Sequence, residues 1–176
     1  MPGRPFFVSG LSVLCQGMIC TIHDLRDRSD LIDPVASAVW AAFWQHKGTP
    51  LAALQAGFRR HLAAGALPFT LAAEADGTFA GTVSLIACDE PDYVAVSGRT
   101  DMVPWLAALW VEPQHRRAGL GAALVTEIER RAAALGIARL YLSALPPAQV
   151  FYEKRGWQAI DRDINADGLG IFARVL

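Results

Sequence analysis

The chain has 176 residues, 53% of them hydrophobic and 19% charged, so it has the material for one folded domain with a sizeable core and is not a disordered chain. Its net charge of −1 supplies no global basic field, which argues against nucleic acid as a partner. No run reaches the roughly 18 apolar residues of a membrane-crossing helix, so no membrane association is expected.

Residues 1–17 read as a flexible leader. Arg4 followed by Phe6-Phe7-Val8 faintly resembles a signal peptide, but Ser9, Gly10 and Ser12 interrupt the apolar stretch and no small-x-small site follows. Met18 to Leu25 alternates as a first strand and opens a single domain over 18–176. Asp33 is placed to cap a helix with Pro34 at its first position and Val35, Val39, Trp40 and Phe43 on one side. Pro50 starts a second helix carrying Leu51, Leu54, Phe58 and Leu62 at helical spacing. Strands follow over 69–74 and 78–88, joined by the turn Ala75-Asp76-Gly77.

A polar connection is expected over 89–104, then a strand from Trp105 to Val111. The next helix runs from Gly119, with Leu120, Leu124, Ile128 and Leu135 inward, Glu127, Arg130 and Arg131 outward, and Gly136 as its stop. A short strand over 139–143 and a helix from Pro146 to Arg155 lead to a closing hairpin, 157–164 with 170–175. The order β-α-α-β-β-β-α-β-α-β-β is a mixed α/β pattern with one β-α-β crossover. Cys15, Cys20 and Cys88 are odd in number and scattered, as expected in a reducing cytoplasm. His23, His46, His61 and His115 lack metal-ligand spacing and Cys-x-x-Cys is absent, so no metal is expected.

The most telling stretch is Val111 to Gly121, where a strand ends, a basic turn follows and two glycines open a helix. A helix start offers unpaired N–H groups and partial positive charge, and glycines let a phosphate reach the backbone. The stretch does not match a P-loop, Gly-x-x-x-x-Gly-Lys-[Ser/Thr]. The dinucleotide pattern Gly-x-Gly-x-x-Gly also fails, since Leu124 stands at its third glycine and no acidic residue lies about 20 further on. Arg116-Arg117-Ala118-Gly119-Leu120-Gly121 does fit [Arg/Gln]-x-x-Gly-x-[Gly/Ala], an acetyl-coenzyme A turn.

That segment resembles motif A of the Gcn5-related N-acetyltransferases (GNAT). Phe151-Tyr152-Glu153-Lys154-Arg155-Gly156-Trp157, about 30 residues later, resembles that family's motif B. The resemblance covers Met18 to Leu176 and implies the GNAT acyl-CoA N-acyltransferase fold with a splayed central strand pair. It implies an enzyme moving an acetyl group from acetyl-CoA, without metal, to a primary amine of a small molecule or a peptide N-terminus. The pyrophosphate would rest on Arg116, Arg117, Ala118, Gly119, Leu120, Gly121 and Ala122. The pantetheine arm would pair with Leu109, Trp110 and Val111, and Pro146 and Pro147 would help keep the strands apart. An N–H within Ala108–Trp110 would meet the oxyanion, and Tyr152 holds the position of the general acid.

Two departures stand out. Trp105–Trp110 carries no carboxylate, where several relatives place a Glu base; Asp101, Glu74 or His46, acting through water, are candidates. Leu145 stands where many relatives have an Asn that contacts the coenzyme. For the acceptor, Trp44, His46 and Asp101 are candidate contacts. The stretch Asp89-Glu90-Pro91-Asp92 reads either as an attractor of a cationic amine or as a solvated loop. The family often forms homodimers, but no residue here marks an interface. A competing reading is a non-catalytic module that binds acetyl-CoA as a sensor.

Overall fold

The structure is a computed structural model and describes residues 10–15 and 17–176. Among the described residues there are five α-helices and a mixed sheet of eight strands in the order β1-β2-β3-β4-β5-β6-β8-β7. The described residues group into two compact units. One takes in residues up to Ala63 with Thr70–Thr82 and Trp110–Leu124; the other takes in Ala64–Phe69, Val83–Leu109 and Val125–Leu176.

In the first unit, β1 (Leu11–Cys15) pairs antiparallel with β2 (Met18–Asp24), with Val13 opposite Cys20. Part of the expected leader is thus a strand. Ser12 lies within this strand, between Leu11 and Val13. The rest of that leader, 1–9 and 16, lies outside the described residues. β2 pairs antiparallel with β3 (Phe69–Ala75), and β4 (Thr78–Ile86) follows through Asp76 and Gly77, both at positive φ as an Asp-Gly hairpin turn requires.

Helix α1 (Ile32–Val39) runs on from a 3-10 turn over Ser29–Leu31, so Asp33 is no cap. Asp33 instead accepts a hydrogen bond from Gln55 Nε2 (2.9 Å) on α2 (Leu51–Arg60). Val35, Ala36 and Val39 bury the inner side of α1, and Phe58 does so for α2. Glu74 on β3 is engaged on two sides, by His23 Nε2 (3.0 Å) and by both terminal nitrogens of Arg28 (2.5 and 3.1 Å). Its carboxylate is therefore taken up by this network.

In the second unit, β5 (Trp105–Val111) runs parallel to β6 (Arg139–Ala144), which pairs antiparallel with β8 (Gly170–Val175); β8 pairs with β7 (Gln158–Asp161). The expected polar connection contains α3 (Pro91–Ser97), with Pro91 in its first turn and left-handed Gly98 just past its end. Tyr93 and Val94 pack on a core of Met102, Trp105, Tyr141 and Ile171. The helix is too short for a periodic apolar stripe, so only its punctuation is visible in the sequence.

Helix α4 (Leu120–Ala134) buries Leu120, Leu124 and Ile128 as its periodicity predicts, but Leu135 is half exposed and Glu127 is buried. Arg130 Nε and Nη2 reach Glu127 at 2.7 and 2.8 Å, and Arg131 Nε reaches it at 2.7 Å. Burial works to raise its pKa, but hydrogen bonds from the two arginines outweigh this and hold the carboxyl below the usual range. A depressed carboxyl stabilises the fold above its unfolded pKa and loses that contribution as pH falls through its folded value. Melting curves on an acid series are therefore expected to fall less steeply for Glu127→Gln than for the wild type. Parallel curves would show that the carboxylate carries no such linkage.

Candidate active site

The turn after β5 belongs to the first unit. Pro113–His115 forms a single 3-10 turn, and Arg117 (φ 63°) and Gly119 (φ 92°) then take left-handed conformations that bend the chain into α4. The first bond of the helix joins Ala123 N–H to Gly119 O (3.0 Å), so the N–H groups of Gly119 to Ala122 have no intrahelical acceptor. A Cβ built on Gly119 meets nothing within 4 Å. Open space over free N–H groups at a helix start, beside two arginines, is the setting a pyrophosphate needs, so these residues fit the coenzyme.

Arg116 ties the turn to the strand end. Its Nε donates to Val111 O (2.9 Å), and its guanidinium lies 4.4 Å from the Trp110 ring centre. The strand end is itself pinned: Glu112 N–H donates to Ala80 O (2.9 Å), and a Cβ on Gly81 would lie 2.8 Å from Trp110 O. His115 Nδ1 is sealed from solvent without a hydrogen-bond partner among the described residues.

Trp110 also receives Phe43 edge-on, with ring centres 6.2 Å apart. Phe43 sits in a π-helical turn, Trp40–Trp44, that continues α1; such turns widen the helix and re-aim its side chains. Trp44 and Phe43 are each 37% exposed, and Lys47 Nζ lies 4.7 Å from the Trp44 ring centre. His46 is exposed on the following 3-10 turn. Of this aromatic group, Phe43 is the one that touches a predicted coenzyme residue, whereas helical spacing places it only on a core-facing side. The signal in the sequence is the pair of tryptophans flanking it within five residues.

In the second unit, Trp105 pairs with Tyr141 in the β5–β6 ladder, and Tyr141 N–H donates to Pro104 O (3.1 Å). Past this pair β5 reaches Ala108, which has a φ of 53° although it is neither glycine nor at a turn. A left-handed alanine inside a strand is a costly conformation of the kind found at working sites.

Tyr152, on α5 (Pro146–Glu153), is 6% exposed. It meets Phe151 and Trp157 edge-on, with ring centres 5.0 and 5.9 Å away. Its hydroxyl makes no hydrogen bond with the described residues, yet it is not among the sealed unpartnered atoms, so it keeps an opening. Burial, and then the charge of Asp89, push the phenol well above its ordinary pKa, against a smaller opposing effect of Arg155. It is fully protonated at neutral pH. Leu145 is half exposed ahead of Pro146, and Gln149 Nε2 bonds Ala144 O (3.0 Å) and Gly168 O (2.9 Å), tying α5 to the closing hairpin. Asp101 is exposed and lines a cavity of about 570 Å³ with Leu67, Val103, Arg139, Tyr141 and Val175; Tyr152 does not line it.

Among the described residues no helix is long and apolar enough to cross a membrane, and no group of His, Cys, Asp and Glu could hold a metal. No curated protein matches the chain. Solved structures resemble it in fold at low identity. The GNAT domain of S. lividans PAT is 17% identical with a TM-score of 0.71, covering 99% of this chain and 100% of that one. An acetyltransferase of the GNAT family from Streptococcus pneumoniae is 17% identical with a TM-score of 0.65, covering 89% and 99%. An acyl-CoA N-acyltransferase from Pseudomonas aeruginosa is 19% identical with a TM-score of 0.61, covering 89% and 99%. The model of the acetyltransferase (GNAT) family matches residues 29–157. That match spans most of the chain, so the chain belongs to the GNAT acetyltransferase family, enzymes that transfer an acyl group from acyl-CoA to an amine.

Proposed function

We propose that this chain is a cytoplasmic N-acetyltransferase that takes acetyl-CoA as donor and a primary amine as acceptor, with Tyr152 as general acid. The observation that carries the reading is the open turn at Gly119, with free N–H groups from Gly119 to Ala122 and two adjacent arginines. These residues bind the pyrophosphate, and Leu109, Trp110 and Val111 offer strand edge to the pantetheine amides. An N–H within Ala108–Trp110 meets the oxyanion, for which the left-handed Ala108 supplies an unusual backbone direction. Tyr152, neutral and with a free hydroxyl, gives a proton to the departing sulfur. Cys15, Cys20 and Cys88 as free thiols agree with a reducing compartment.

Thiol release from acetyl-CoA with a panel of primary amines, beside calorimetric binding of acetyl-CoA, tests the reading. Binding together with amine-dependent thiol release is expected. Binding without release on any amine would favour the sensor, and no binding would refute both.

A further inference from the structure

By its place in the coenzyme turn Arg116 is expected on the phosphate, but its side chain turns back over the strand. Its Nε donates to Val111 O at 2.9 Å, and its guanidinium lies 4.4 Å from the Trp110 ring centre. Glu112, the next residue after Val111, sends its N–H to Ala80 O on β4 (2.9 Å). Backbone polar groups alternate sides along an extended strand, so those of Val111 face away from β4. The Val111 carbonyl is therefore the last acceptor on the side of β5 that β4 leaves open, and Arg116 occupies it.

Two further observations hold this strand end in place. A Cβ on Gly81 of β4 would lie 2.8 Å from Trp110 O, 3.3 Å from Leu124 Cδ1 and 3.5 Å from Val111 Cα, so the strand end has no room to settle toward β4. Phe43 meets the Trp110 ring edge-on, with planes at 87°. The indole thus carries Phe43 from the π-helical turn and Arg116 from the coenzyme turn. A guanidinium committed to a carbonyl and to a ring straps the strand end, whether or not a phosphate is present.

We propose that Arg116 is a positioning residue for the coenzyme, which closes the open edge of β5 at Val111 and so sets where the pantetheine arm pairs, acting through Val111 and Trp110 rather than by laying its charge on the pyrophosphate. The proposal rests on the coenzyme site read above, within which it moves Arg116 from the phosphate to the strand edge. With Val111 O taken, pairing is left to the Val111 N–H and to the residues before it. An arm that slid further along the strand would meet a carbonyl already bonded.

Side-chain chemistry separates the two roles. Glutamine has a donor nitrogen where arginine has Nε, and a flat amide, but no charge. Lysine keeps the charge but has a methylene at that position and no flat group. The test is calorimetry of acetyl-CoA on the full chain. Arg116→Lys and Arg116→Ala are each expected to weaken binding about tenfold, the size of a lost hydrogen bond and cation–π contact, while Arg116→Gln stays within about threefold of the wild type. The loss in Arg116→Ala should be the same at about 0.05 M and about 0.5 M salt, although screening differs severalfold between them. In a Trp110→Leu background the alanine substitution should cost less than in the wild type; an equal cost overturns the part assigned to Trp110. With an amine that the wild type accepts, KM for acetyl-CoA should rise in Arg116→Lys while kcat at saturating donor holds, a split that general damage to the fold would not give. Lysine near the wild type with glutamine weakened, or a loss that closes at high salt, overturns the proposal and returns the charge to the phosphate. Equal binding by the wild type and all three Arg116 variants overturns it as well. Arg116 is exposed, so its variants are expected to fold. Should Trp110→Leu melt early, the ranking of the Arg116 variants decides alone. A wild type that binds no acetyl-CoA refutes the coenzyme site on which the proposal rests.

Discussion

Tyr152→Phe is expected to lower kcat at least about tenfold, the lower end of what losing a proton donor costs, while the Kd for acetyl-CoA stays the same. The environment of the side chain makes this a clean substitution. Its ring is held by Phe151 and Trp157, contacts that phenylalanine keeps. Its hydroxyl bonds to no described residue, so removing it breaks no internal hydrogen bond and the melting temperature should hardly move. Burial and Asp89 keep the phenol neutral, so the proton is present throughout the neutral range. In the proposed mechanism a departing thiolate, whose conjugate thiol ordinarily titrates at about 8.5, would then be met by a donor rather than by a second anion. Unchanged turnover in steady-state assays would remove Tyr152 from the mechanism and leave it as a core aromatic.

On the proposed coenzyme site, Gly119→Val should weaken acetyl-CoA binding at least about tenfold, because its side chain would stand where the phosphate is proposed to reach the backbone. The free protein has room for it, since a Cβ at Gly119 touches nothing within 4 Å. The φ of 92° is nevertheless strained for a β-branched residue, at a cost of about 1–3 kcal/mol of stability. Calorimetry and thermal melts together separate the two effects. Gly119→Ala carries much of the strain with little of the bulk, so it should melt lower yet lose less affinity. Wild-type affinity in the valine variant would place the phosphate elsewhere.

Much of this molecule is legible in one dimension. The strand Trp105–Val111, the Asp76-Gly77 turn and the inward positions Leu120, Leu124 and Ile128 follow from local period and punctuation. So does the strand–turn–helix at Arg116–Gly121, because an N-terminal helix turn is a short-range object whose glycines and arginines lie side by side in the chain. Helix α3 escapes a reading by period because seven residues carry too little of it, although Pro91 and Gly98 mark its ends. Glu127 reads as exposed because a glutamate three and four residues before arginines has the pattern of a surface pair. Only packing shows that both arginines fold over a buried carboxylate.

The chain's own order of residues thus determines the family, the elements other than β1 and α3, and the strand–turn–helix at Arg116–Gly121, since each depends on neighbours within a few positions. Tertiary structure decides which side chains meet across long stretches of chain. Phe43 joins Trp110 across the fold of one unit, and Ser143 joins Asp89 and Glu90 across 54 and 53 residues in the other. No local pattern encodes such meetings. They arise because β6 and the segment after β4 are brought together by a buried core, and a charge loop that looks solvated in the sequence becomes a pair of carboxylates on one hydroxyl.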